Sequence, residues 1–175
     1  MTKKKQNGDQ TLLYTVFAAV FAALSAVAMI FIKIPIPGVA AGYVHPGDAF
    51  IYIAASCLPL PFACAAGAVA GLLADVLSGA AAWAPWSLVI KALLPLMFVR
   101  KQKTLLCKRN FVAPAVGLII TVAGYFVAEA VMFTPGGAVA SLPWNAAQGA
   151  ASAIIYYALA AALDKARAKE RMLKL

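Results

Sequence analysis

Four ionisable side chains, Asp48, Asp75, Lys91 and Glu129, lie in stretches that otherwise carry no charge. Lys91 is the sharpest case, set among apolar and small residues in WAPWSLVIKALLPL, residues 83–96. A charge in such surroundings is costly to keep, and it persists when an opposite charge or a ligand answers it. The chemistry available is electrostatic: an internal ion pair, recognition of a polar solute, or a proton relay. Acid–base catalysis within the membrane is disfavoured, because the chain has one histidine, His45, and no H-E-x-x-H or paired-aspartate helix motif.

Spacing sorts these residues onto faces. Residues four apart share one side of a helix. Asp48, Tyr52 and Ser56 form one stripe, Trp83, Ser87 and Lys91 a second, and Thr121, Tyr125 and Glu129 a third. Asn145, Gln148, Ser152 and Tyr156 follow at spacings of three and four, and Gly67 and Gly71 lead up to Asp75. Stripes this regular are expected to face the inside of a helix bundle. At 1.5 Å per residue, the four ionisable groups fall roughly 0 to 9 Å below one surface, counted from the helix ends. Lys91 is thus expected to meet Asp75 or Glu129, either as an internal brace or around a ligand. Asp48, following Pro46-Gly47, has the alternative of capping its helix.

Trp83, Trp86, Trp144 and Tyr43 fall at the same end of the expected bundle. They fit an interfacial aromatic belt or the walls of a pocket for a flat, partly polar molecule.

The elements that position these groups follow from composition. The 175 residues are 64% hydrophobic and 12% charged, against about a quarter charged in an average soluble domain. The chain therefore reads as an all-α integral membrane protein, a six-transmembrane-helix bundle. Spans are expected at 11–32, two shorter ones within 47–79 folded back at Pro59-Leu60-Pro61, and at 85–99, 111–133 and 143–163. The membrane domain is 11–163, with basic tails at 1–10 and 164–175. Of 15 Lys and Arg, all but Lys33 and Lys91 lie before the first span, between the fourth and fifth, or after the sixth. That pattern places both termini in the cytoplasm of a cell-membrane protein, and accounts for the net charge of +9 without nucleic acid. The lysine-led first span is too long for a cleaved signal peptide and is expected to be retained. Cys57, Cys64 and Cys107 lack metal-ligand spacing and read as reduced thiols, so neither metal nor cofactor is expected.

The first span carries no pocket-forming stripe. Ala18, Ala22 and Ala26 share a face instead, with Ala19 and Ala23 beside them, and small residues at this spacing admit another helix, internal or external. The sequence contains no phosphate-binding G-x-x-x-x-G-K-[ST] loop. A pocket without a motor suggests a partner.

Three stretches, IKIPIPGVAAGYVHPGDAFIYIAA, AGAVAGLLADVLSGAAAWAPWSLVIKALL and SLPWNAAQG, resemble the substrate-binding S components of energy-coupling factor (ECF) transporters, the riboflavin-type or general branch. The resemblance spans roughly residues 11–163, with Leu58-Pro59-Leu60-Pro61 standing where such proteins are usually glycine-rich. It implies a binding subunit without enzymatic activity, which takes up a vitamin or related micronutrient under a gating loop, here residues 33–46. Riboflavin, pyridoxine, pyrimidine precursors and queuine are the ligand types it suggests. It further implies a transmembrane coupling protein, met by Ala18, Ala22 and Ala26, and two cytosolic ATPase subunits. Asn145 and Gln148 would face the ligand. The expected substrate-binding set is thus Tyr43, His45, Asp75, Trp83, Lys91, Tyr125, Glu129, Asn145 and Gln148. A stand-alone proton-coupled secondary transporter or channel is the rival.

Overall fold

The structure, a computed structural model, describes residues 3–39 and 42–173. Residues 40 and 41 of the expected gating loop, and 1, 2, 174 and 175 of the tails, including Lys174, lie outside the described residues.

The elements run α1 (Lys3–Phe31), β1 (Ile34–Pro35), β2 (Tyr43–Val44), α2 (Asp48–Cys57), α3 (Leu60–Leu77), α4 (Ala84–Leu93), α5 (Lys108–Met132), α6 (Pro135–Lys165) and α7 (Ala168–Leu173). Short 3-10 turns flank α4 at Ala81–Trp83 and Leu94–Met97. Strands β1 and β2 form a small antiparallel hairpin with Ile34 opposite Val44. The protein is an all-α membrane protein apart from this hairpin.

Four helical segments, Gly8–Phe31, Leu60–Leu77, Lys108–Met132 and Pro135–Lys165, are long and apolar enough to cross a membrane, while Asp48–Cys57 and Ala81–Met97 are shorter. Their outward faces are apolar, with Val16, Val20, Val27, Ile119, Val131 and Ile154 exposed. Water is a poor solvent for such a surface and lipid a good one.

The expected boundaries hold for α2 and α3, which turn at Pro59 as the two prolines direct. They fail for α6, which starts at Pro135 rather than Pro143. Thr134 caps it, its hydroxyl accepting from the Gly137 backbone N–H at 3.2 Å. A Thr N-cap followed by Pro at the first helical position starts a helix. Pro143 is then tolerated inside the helix.

Packing is tightest between α3 and α4. A Cβ on Gly67 would collide with the Lys91 carbonyl oxygen, and one on Gly71 would lie 2.9 Å from Lys91 Cγ and 3.0 Å from the Ser87 carbonyl oxygen. The two glycines therefore admit the backbone of α4 at the turn that carries the lysine.

The alanine stripe of α1 faces inward. Ala18, Ala22 and Ala26 are 8%, 5% and 6% exposed and belong to the protein's own interior, where α1 packs on α2 and α3. Ala19 and Ala23 lie on the outward face. Small-residue spacing licenses close approach without saying which helix approaches, and here the neighbours are internal. Ala22→Trp is accordingly expected to lower the unfolding midpoint of the detergent-solubilised chain, by overpacking worth about 1–3 kcal/mol or more. Ala23→Trp should leave it nearly unchanged. Equal, small effects would place Ala22 outside the packed seam.

Candidate functional site

At the hairpin end of the bundle the interior opens into a cavity. It is lined by Ile36, Gly42, Tyr43 and His45 from the loop between α1 and α2, by Asp75, Trp83 and Ser87, and by Tyr125, Glu129 and Asn145. The hairpin forms its roof because Ile36 and Val44 bury their side chains into the bundle. Seven of the nine expected residues line it: Tyr43, His45, Asp75, Trp83, Tyr125, Glu129 and Asn145. Lys91 and Gln148 do not; they lie in the layer beneath.

Each carboxylate on the wall is held by neutral donors. The Tyr43 hydroxyl donates to Asp75 Oδ1 at 2.7 Å, while Asp75 Oδ2 is buried and makes no hydrogen bond of good geometry. Glu129 accepts from the Ser141 hydroxyl and from Asn145 Nδ2, the latter at 3.4 Å. Ser141, four residues before Asn145 on the same helix face, is absent from the expected set because helix six was placed eight residues too late. The aromatic wall is Trp83, whose ring lies 6.1 Å from that of Tyr125 and 5.8 Å from that of Phe133. Trp86 is half-buried and Trp144 is 37% exposed on the outer surface, so the three tryptophans separate into one wall residue and two peripheral ones.

The answer to Lys91 is Asp48, not Asp75 or Glu129. Lys91 Nζ stands 2.8 Å from Asp48 Oδ1 and 2.9 Å from Oδ2, with the two side chains 1% and 0% exposed. The ammonium also lies 5.1 Å from the centre of the Tyr125 ring, a favourable cation–π position. Asp48 does not cap α2, since Gly47 occupies that position and no side-chain cap bond forms. Nor does it sit at the surface: the loop covers the start of α2, and counting depth from the helix end mistook a buried start for the membrane boundary.

Gln148 completes this layer. Its Nε2 donates to Asp48 Oδ2 at 3.4 Å and its Oε1 accepts the His45 backbone N–H at 3.3 Å. The roof is thereby tied to the ion pair. His45 Nδ1 accepts the Gly47 N–H at 3.3 Å, which leaves its proton on Nε2. Burial, with a smaller effect from the Lys91 charge, pushes the imidazole down to about 3, so it is neutral at physiological pH. Burial, reinforced by Asp75, likewise pushes the Tyr43 phenol well above its usual value.

Below come two further tiers. Asp48 meets Gln148 and Ser56 meets Tyr156, 3.0 Å between hydroxyls; both pairs are spaced eight residues along their helices, so α2 and α6 run in the same direction in register. Between them lie Tyr52 and Ser152, whose hydroxyls, with that of Thr121, are buried without hydrogen-bond partners. At the far end Asn110 Nδ2 donates to the carbonyl oxygens of Val99 and Leu105 at 2.9 Å. Asp164 accepts the N–H groups of Leu105 and Leu106 there. Asn110 and Asp164 carried no spacing signal that marked them; they hold the loop between α4 and α5.

Among the described residues no group of three or more His, Cys, Asp or Glu side chains is placed to hold a metal ion.

A lipid-facing bundle whose polar side chains converge on a roofed internal cavity is the build of a membrane protein that binds a small solute. The sequence profile of the family described as ECF-type riboflavin transporter, S component, matches residues 10–165, and the chain belongs to that family. It is a substrate-binding subunit of an ECF transporter and functions in membrane transport. A comparison with curated proteins found no match.

Two outcomes check the layer beneath the cavity. Asp48→Asn or Lys91→Met alone is expected to cost about 3–5 kcal/mol by stranding the other charge, and the double substitution should recover much of that loss. A thermal-unfolding double-mutant cycle reads it, and additive losses would show the two groups to be uncoupled. His45 takes up its proton far less readily folded than unfolded, so it adds stability above its ordinary value of 6.5. That stability drains as the pH falls toward about 3. The unfolding midpoint should therefore fall more steeply below pH 6.5 in the wild type than in His45→Asn; parallel pH profiles would count against a buried neutral imidazole.

Proposed function

We propose that this subunit captures a small heteroaromatic micronutrient from outside the cell and delivers it to an ECF module. That module comprises a transmembrane coupling protein and two cytosolic ATPases, with uptake driven by their ATP hydrolysis. The observation that carries this reading is the cavity itself, where Trp83, Tyr125 and Tyr43 stand beside Asp75, Glu129 and Asn145. Flat walls with a few convergent polar groups suit a flat ring with polar edges.

Orientation is supported by where the basic residues gather. The segment 100–109 is bound to Asp164 and Lys169 at the end away from the hairpin, and Arg100 lies 5.1 Å from the Tyr14 ring on the first half of α1. With this end cytoplasmic, the chain crosses the cell membrane six times, two crossings being made by short helices, and both termini are inside. The hairpin end then faces outward.

The roof is the gate. The cavity measures about 20 Å³, room for one or two waters, whereas sites that enclose a small organic molecule run to about 300–1,000 Å³. Residues 33–46 must lift or slide for cargo to enter. Ala18, Ala22 and Ala26, the stripe expected to meet the coupling protein, face the protein's own interior in the single chain.

Mass spectrometry of the small molecules that co-purify with the chain is expected to return a heteroaromatic compound. Its affinity, by titration calorimetry, should drop at least about tenfold in Trp83→Ala and in Glu129→Gln. Reconstituted alone in proteoliposomes the chain should accumulate none of it. Accumulation by the chain alone under a proton gradient would replace this reading with that of a stand-alone transporter.

A further inference from the structure

The charges facing the cavity do not balance. Asp75 and Glu129 are carboxyls on its wall, and each is engaged as an acceptor, Asp75 from Tyr43 and Glu129 from Ser141 and Asn145. The cation nearest in sequence pattern, Lys91, lies beneath the cavity, 5.1 Å from the ring of the wall residue Tyr125, and its charge is matched by Asp48 at 2.8 Å. His45 is neutral, with a single ring N–H. Lys33 stands 5.3 Å from the Tyr43 ring, but it is solvent-exposed outside the roof, where water screens it. No cationic side chain among the described residues therefore lines the cavity.

Acceptors are also in surplus. Asp75 Oδ2 is buried, on a residue 6% exposed, and makes no hydrogen bond of good geometry; besides Tyr43, the Ser87 hydroxyl is the donor beside this carboxyl. A buried carboxylate oxygen in that condition calls for a donor or a positive charge.

Resting on the proposed binding role of this cavity, we infer that its cargo is a flat ring bearing an amino group or a protonated nitrogen, directed at Asp75 and Glu129. Flavins, whose ring polarity is dominated by carbonyl oxygens, together with carboxylates and phosphate esters, are turned away. The family to which the chain belongs is described by riboflavin; the cavity of this member is built for the opposite polarity at its ring edge.

Paired probes that differ only in that edge test the inference on the full chain in detergent. Cytosine is compared with uracil, adenine with hypoxanthine, and riboflavin is run beside them, each read by the shift in unfolding midpoint and by titration calorimetry. The amino members are expected to stabilise the protein and to bind at least about tenfold more tightly than their oxo partners. Asp75→Asn and Glu129→Gln, which preserve shape, should shrink that preference. Riboflavin or an oxo partner binding as well as the amino members, with binding lost in Trp83→Ala, would overturn the charge selection and leave the cavity's binding role standing. Binding of any probe that survives Trp83→Ala, Asp75→Asn and Glu129→Gln alike would overturn both.

Discussion

The pairing of Lys91 with Asp48 is the constraint from which the arrangement of this bundle follows. Neither charge tolerates an apolar interior alone, and each removes most of the other's penalty only if the two remain in contact. Contact requires that α4 come close enough to the start of α2, and the glycines on α3 let it do so. Gln148 then joins α6 to the same carboxylate and uses its other end to grip the backbone of His45. One buried pair thereby fixes three helices and the hairpin that roofs the cavity.

Much of this was legible in the spacing. The polar stripes on five helices pointed inward as the four-residue repeat required, because a helix in lipid has only one face on which polar groups can be satisfied. What spacing lacks is reach. It placed Lys91 inside, but could not select among carboxylates on three other helices, and it favoured those that seemed level with it. Asp48 was misjudged because a residue just after Pro-Gly looks like a helix cap, and nothing local reveals that a loop folds over it. The alanines of α1 illustrate the same gap, since a smooth face announces close packing and is silent about the neighbour. The late start assigned to α6 hid Ser141, whereas Thr134-Pro135 held the correct signal.

The walls and the floor of the site divide their labour. On the wall, the carboxyls of Asp75 and Glu129 are held by the neutral donors Tyr43, Ser141 and Asn145. The floor, made of Asp48, Lys91 and Gln148, spends its charge internally. With the Lys91 charge matched by Asp48, the carboxyls of Asp75 and Glu129 are the ionisable groups left on the cavity wall beside His45 and the tyrosines.

Helix α2 has 10 residues, and so rises about 15 Å, near half of a hydrocarbon layer of about 30 Å. Above it stand the β1–β2 hairpin and its flanking residues, whose edge peptide groups could not endure contact with acyl tails. The longer neighbours must therefore act as a palisade around it. The roof over the cavity is thereby set below the ends of the neighbouring helices and sheltered by them from lipid.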